Sequence, residues 1–130
     1  MICVDTNVLV RLLTADDRAQ HRKARSLFEG EHVHLSLTVL LETEWVLRHA
    51  YGFDSKAIAR ALTDLASLER VSVEAEARLI VGLQGLQAGM DFADALHLAG
   101  CPKDASRFAT FDRTLVRKAR AAGLGRAFQL

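Results

Sequence analysis

Apolar and polar positions follow two different periods along this chain, and the switches between them mark out its elements. Residues 32–37 alternate apolar with polar and predict a strand, while the compact apolar stretches at 2–4, 70–73, 107–111 and 126–130 predict four more. Between them the apolar positions recur at helical spacing. Val8, Leu9, Leu12 and Leu13 predict a helical turn or two over 6–13, and Ala24, Leu27 and Phe28 a second helix to about residue 30, capped by Asp16 or Asp17. Thr38 is expected to cap a third helix that ends at His49, before Gly52, and Ile58, Ala61, Leu62, Leu65 and Leu68 predict a fourth over 55–68. A fifth runs from Glu74 toward Gly89, and a sixth begins at Asp91 or Phe92 and is stopped by Pro102. A basic seventh spans 113–122, with Gly123 past its end.

Short apolar strands alternating with helices imply βαβ units around a largely parallel sheet, so the expected class is α/β. In such sheets ligands bind outside the carboxyl ends of the strands, where strand order reverses. Asp5 and Asp112 fall just past the first and fourth predicted strands. If those strands are neighbours, about 4.8 Å apart, the two carboxylates can share a cation.

These acids belong to a wider pattern. Asp5 closes an apolar run, Glu42 interrupts residues 37–47, Asp94 stands in Phe92-Ala93-Asp94-Ala95-Leu96, and Asp112 follows residues 108–111. Carboxylates are seldom embedded in apolar sequence without a partner. Each also has a plain structural reading. Asp5, Asp94 and Asp112 can cap the helices they precede, a role Asp91 can equally take. Glu42 has Val39, Trp45 and Val46 on its helical face, Glu44 has Leu40 and Leu47, and periodicity does not choose between them. Gathered together, such acids repel unless a cation lies among them, and oxygen donors suit magnesium or manganese.

Length and charge narrow the field. The 130 residues, half of them apolar, suffice for one domain over 1–130. Charges break every apolar stretch before the roughly 18 residues a membrane helix requires, and no basic segment precedes Ile2, so we expect a cytoplasmic protein with no membrane partner. Cys3, in a predicted buried strand, and Cys101, at a helix end, lack metal-ligand spacing and read as small buried hydrophobes. Seventeen basic against 16 acidic residues give a net charge of +1, short of the basicity of a sequence-reading DNA binder. A metal bound by the acids would leave the rest of the surface more positive, which suits a polyanionic ligand. Arg113, Arg117, Lys118 and Arg120 form the densest basic cluster, with Arg48 and His49 downstream of Glu42.

Taken in order, Ile2-Cys3-Val4-Asp5-Thr6-Asn7-Val8-Leu9, then Leu41-Glu42-Thr43-Glu44-Trp45-Val46-Leu47, then Asp91-Phe92-Ala93-Asp94-Ala95-Leu96-His97-Leu98-Ala99, then Thr110-Phe111-Asp112, the chain resembles the PIN-domain nucleases. More narrowly it resembles the VapC toxins of bacterial toxin–antitoxin pairs. The resemblance implies a three-layer sandwich with a five-stranded parallel sheet of order 3-2-1-4-5 and about seven helices. It implies that Asp5, Glu42, Asp94 and Asp112 are the catalytic, metal-binding acids, and it favours Glu42 over Glu44. Asn7 and Thr110 would orient those acids through hydrogen bonds.

The function so implied is a magnesium-dependent endoribonuclease, with manganese able to substitute, in which a metal-activated water leaves a 5′-phosphate and a 3′-hydroxyl. Its partners would be an RNA substrate, a cognate antitoxin that neutralises it, and a second copy in a homodimer. Leu9, Leu12, Leu13, Leu27, Phe28, Ile58 and Leu62 are more apolar surface than thin flanking helices usually need, and either line a partner groove or belong to the core. The competing reading is a PIN-like scaffold that binds RNA or protein without cutting. A phosphorelay receiver, also α/β with an acidic pocket, fits poorly, because Asp5 lacks an adjacent acid and Val73 is followed by Glu74.

Overall fold

The computed structural model describes every residue but Ser106. The chain folds as two compact units, Met1–Glu76 and Ala77–Leu130. The first contains β1 (Ile2–Cys3), α1 (Thr6–Leu13), α2 (Arg18–Gly30), β2 (Val33–Leu35), α3 (Leu37–His49), α4 (Ser55–Ala66) and β3 (Val71–Val73). The second holds α5 (Glu76–Gln87), which starts at the boundary, then α6 (Phe92–Ala99), β4 (Phe108–Thr110), α7 (Arg113–Ala121) and β5 (Ala127–Gln129).

In the first unit β2 is the centre of a three-stranded parallel sheet, with Val33 opposite both Ile2 and Val71. Val33 and Leu35 are fully buried, and His34 between them turns the other way to meet Ser72 Oγ on β3 at 2.9 Å. Leu9 of α1, Leu40 and Leu47 of α3, and Ile58 and Leu62 of α4 close the core. Each such side chain contributes about 1.5–3 kcal/mol of burial. In the second unit Met90, Ala95, Leu98, Leu115, Ala119 and Ala127 form the core. Two glycines let α5 lie close against α6, since a Cβ at Gly82 would stand 2.6 Å from Leu96 Cδ2 and one at Gly85 2.6 Å from Ala95 Cβ.

The α/β class and seven helices are present, but the expected five-stranded sheet is not. Among the described residues the strands form one sheet of order β1-β2-β3 and a separate pair β4-β5, all parallel within each sheet. Among the described residues no ladder joins β1 to β4. With only Ile2 and Cys3 in strand geometry, β1 presents little backbone to a second neighbour, and parallel pairing is the weaker kind per residue.

Smaller corrections have local causes. Ser36, not Thr38, caps α3, its Oγ accepting from Val39 N at 3.3 Å, because β2 ends at Leu35 and leaves Ser36 at the turn. Of the two candidate caps of α2, Asp17 takes the role, as expected, its side chain accepting from Gln20 N. Cys3 is exposed rather than buried, on one of the two edge strands of its sheet. Of the apolar residues held open as a partner groove, Leu9, Phe28, Ile58 and Leu62 are core, while Leu12, Leu13 and Leu27 are half-buried. Among the described residues no helix is long and apolar enough to cross a membrane.

Candidate acidic site

In the second unit the acids sit where helices start. Asp91 caps α6, accepting from Asp94 N at 3.1 Å, and Asp94 stands in the first turn, where the helix dipole favours a negative charge. Asp112 lies two residues past β4 and caps α7, one carboxylate oxygen accepting from Thr114 N at 2.9 Å and Leu115 N at 3.1 Å. Thr110 Oγ1 accepts from Asp112 N at 3.0 Å, which fixes the turn that carries the acid. The half-buried Asp94 is pushed above the ordinary aspartate pKa, first by burial and then by the negative charges of Asp91 and Asp112, with His97 opposing weakly. The fold therefore holds Asp94 where its ionised form is penalised.

In the first unit Asp5 lies two residues past β1 and caps α1, accepting from Val8 N at 3.2 Å. Asp5 and Asp112 thus each stand at the carboxyl end of a parallel strand. The two glutamates of α3 separate cleanly. Glu44 is 1% exposed, and its two oxygens take Arg48 Nε at 2.9 Å and Arg48 Nη2 at 3.1 Å one turn on. Glu42 is exposed and makes no such pair among the described residues. Trp45, three residues on and more than half exposed, lies with its ring 4.5 Å from that of His49.

Asn7, exposed on α1, shares a groove of about 450 Å3 with Asp5, and Gln20 and Lys23 of α2 line its other side. Sequence reasoning did not single out Gln20 or Lys23. Their signal is the spacing of Gln20, Lys23, Ala24 and Leu27, which puts all of them on one face of α2. Of the basic cluster, Arg113 reaches Gln129 Oε1 at 3.4 Å from Nε. His97 is exposed.

The description of the PIN domain matches residues 2–121, nearly the whole chain and both of its units. The chain belongs to the PIN-domain family. PIN domains are generally metal-dependent nucleases, so a nuclease-type fold that binds nucleic acid is the coarse functional class. No curated protein matches the chain.

A divalent cation suits what the residues of this PIN domain offer. Among the described residues no three His, Cys, Asp or Glu side chains gather as a ready metal cage. Magnesium does not require one, because it uses one or two carboxylates and keeps several waters. The penalised Asp94 carboxylate in the field of Asp112 is the arrangement a hard cation relieves.

Proposed function

We propose that this PIN domain, one nuclease domain over 1–130, is a magnesium- or manganese-dependent endoribonuclease whose cation is held by Asp5, Glu42, Asp94 and Asp112. One observation carries the reading: Asp94 is held half-buried, its ionised form penalised first by burial and then by the charges of Asp91 and Asp112. Perturbed acids of this kind cluster at functional sites. Glu44, whose oxygens are both engaged by Arg48, is better read as structural, which favours Glu42.

The bound cation would supply polarisation of a phosphate oxygen and acidification of a water. The chain's residues do the rest. The caps at Asp5 and Asp112 each spend one oxygen on backbone N–H groups and so hold the carboxylate in one orientation. Thr110 fixes the turn before Asp112, and we assign Asn7 the matching role beside Asp5. Nothing in this set calls on a ribose 2′-hydroxyl, so selectivity for RNA must arise from contacts outside the acids. We further propose, from the resemblance to VapC toxins, that a cognate antitoxin neutralises the enzyme and that it works as a homodimer in the cytoplasm.

The test is incubation of a mixed small-RNA pool with partner-free protein in magnesium or manganese, with EDTA and Asp94→Asn controls and mapped product ends. Cuts bearing 5′-phosphates that vanish in both controls are the expected result. Cleavage by Asp94→Asn equal to wild type under matched metal would falsify the site. Folded, metal-loaded protein that binds RNA without cutting any would instead favour the scaffold.

A further inference from the structure

The groove between α1 and α2 is built unlike the acidic turn at Asp5, which forms part of it. Val8, Ala24 and Leu27 give it an apolar lining, and Asp5, Asn7, Arg11, Gln20 and Lys23 add polar groups around them. At about 450 Å3 it falls within the range of small-ligand sites, which pair an apolar lining with a few placed polar groups. We propose that this groove seats one nucleotide of a single-stranded RNA, the base against the apolar lining and the phosphate against Lys23. That it lies beside the cut phosphate rests on the nuclease reading, because Asp5 forms part of the groove.

The polar groups favour a nucleotide. A base has an apolar face and a hydrogen-bonding edge, and single-stranded RNA exposes both. Gln20 Oε1 accepts from Arg11 Nε at 2.7 Å, which leaves the amide NH2 to donate to a base edge, and Asn7 adds a donor and an acceptor opposite. Arg11 itself is not the phosphate ligand. Its guanidinium also lies 3.1 Å from Asp16 Oδ1 and 3.2 Å from the Tyr51 hydroxyl, so its charge is answered within the fold. Lys23 has no ion pair among the described residues, whereas the exposed Arg18 and Arg22 fall on the opposite face of α2 and add nothing to the groove. Arg25 is paired with Glu29 at 2.8 Å.

The walls are fixed before any ligand arrives. Asp16 joins Arg11, Tyr51 and Thr14, tying the end of α1 to the start of α2 and to the loop after α3. A protein helix would want apolar anchors at i, i+3, i+4 and i+7 along a longer trough. Three small or medium side chains among cationic and amide groups suit a polyanion with flat bases better.

The test uses the full chain in EDTA, where binding is read without cleavage. The probe is a fluorescent mixed-sequence oligoribonucleotide carrying 4-thiouridine. Crosslinks should fall on peptides of α1 and α2, and Lys23→Gln should lower the slope of log affinity against log salt by about 0.7, the loss of one single-strand phosphate contact. Lys56→Gln, an equal charge loss on α4, should leave the slope as it was. An unchanged slope in folded Lys23→Gln protein, or crosslinks confined to other segments, overturns the proposal. So does protection of α1 and α2 from hydrogen exchange by a protein partner but not by RNA. Crosslinks in the groove without cleavage in magnesium would sink the nuclease reading and leave the groove standing. Cleavage with crosslinks elsewhere would do the reverse.

Discussion

Each unit of this chain places an acid inside an apolar helix, and the two are treated in opposite ways. In α3 the buried Glu44 is met by both nitrogens of the Arg48 fork. In α6 the half-buried Asp94 is met by more negative charge, from Asp91 and Asp112. The first acid is satisfied by its own helix and needs nothing from outside. The second becomes comfortable only when a proton or a cation arrives. Burial alone therefore does not mark a functional acid; what faces it does.

The largest expected effect breaks the comparison on the second side. Asp94→Asn should cut RNA cleavage on the order of a thousand-fold, the several kcal/mol that metal-assisted phosphoryl chemistry supplies. The same substitution should not lower stability in EDTA, because it removes a repelled charge. Single-turnover kinetics and a urea melt of one preparation read both. A large loss of stability with the loss of activity would mean that Asp94 holds the fold together. Glu42→Gln sharpens the point within α3. It should lose cleavage as Asp94→Asn does while changing stability by no more than about 0.5 kcal/mol, as exposed positions do.

Glu44→Gln should give the opposite profile. Removing one partner of a buried pair costs about 3–5 kcal/mol when both are buried, and because the Arg48 side chain is 35% exposed we expect nearer 2 kcal/mol. Cleavage per folded molecule should stay close to wild type. If instead Glu44→Gln kills cleavage at unchanged stability, α3 has been assigned the wrong way round.

Much of this was legible in the sequence because periodicity reports burial. Every predicted strand and helix exists, and Asp5, Asp91 and Asp112 cap helices in the structure, while the fifth helix starts at Glu76 rather than Glu74. Strand ends were overrun, because an apolar run such as 107–111 continues into Phe111, which is 80% exposed. The split of the sheet was not legible, since hydrophobic pattern says which face of a strand is buried but not how many neighbours a two-residue strand can bond. Nor was the difference between Glu42 and Glu44. It depends on Arg48 lying one turn beyond Glu44 and folding back onto it, whereas both glutamates have apolar neighbours in sequence. The place of Gln20 and Lys23 was not legible either, since it depends on α1 lying alongside α2 to complete the groove.

The smallest effect is a pair of opposite responses to acid. Asp16 in the first unit is held below the ordinary aspartate pKa, chiefly by the Tyr51 hydroxyl, with help from Thr14 and Arg11 against some burial. Its contribution to stability is present above the unfolded value of about 3.9 and is lost as pH falls through the lower folded value. Asp94 is displaced the other way. Its folded form binds the proton more tightly than the unfolded chain, so the penalty is complete above the raised folded value and is relieved as pH falls through it toward 3.9, roughly. On acidification in EDTA, stability should therefore carry a small gain from Asp94 before the loss from Asp16 sets in. Asp94→Asn should remove the gain and keep the loss; Asp16→Asn should do the converse. Urea midpoints taken across the acid range read both. Coincident profiles for wild type and Asp94→Asn would mean that neither burial nor the charges of Asp91 and Asp112 penalise ionised Asp94 in solution, and the contrast between the two helices would reduce to Glu44 and Arg48 alone.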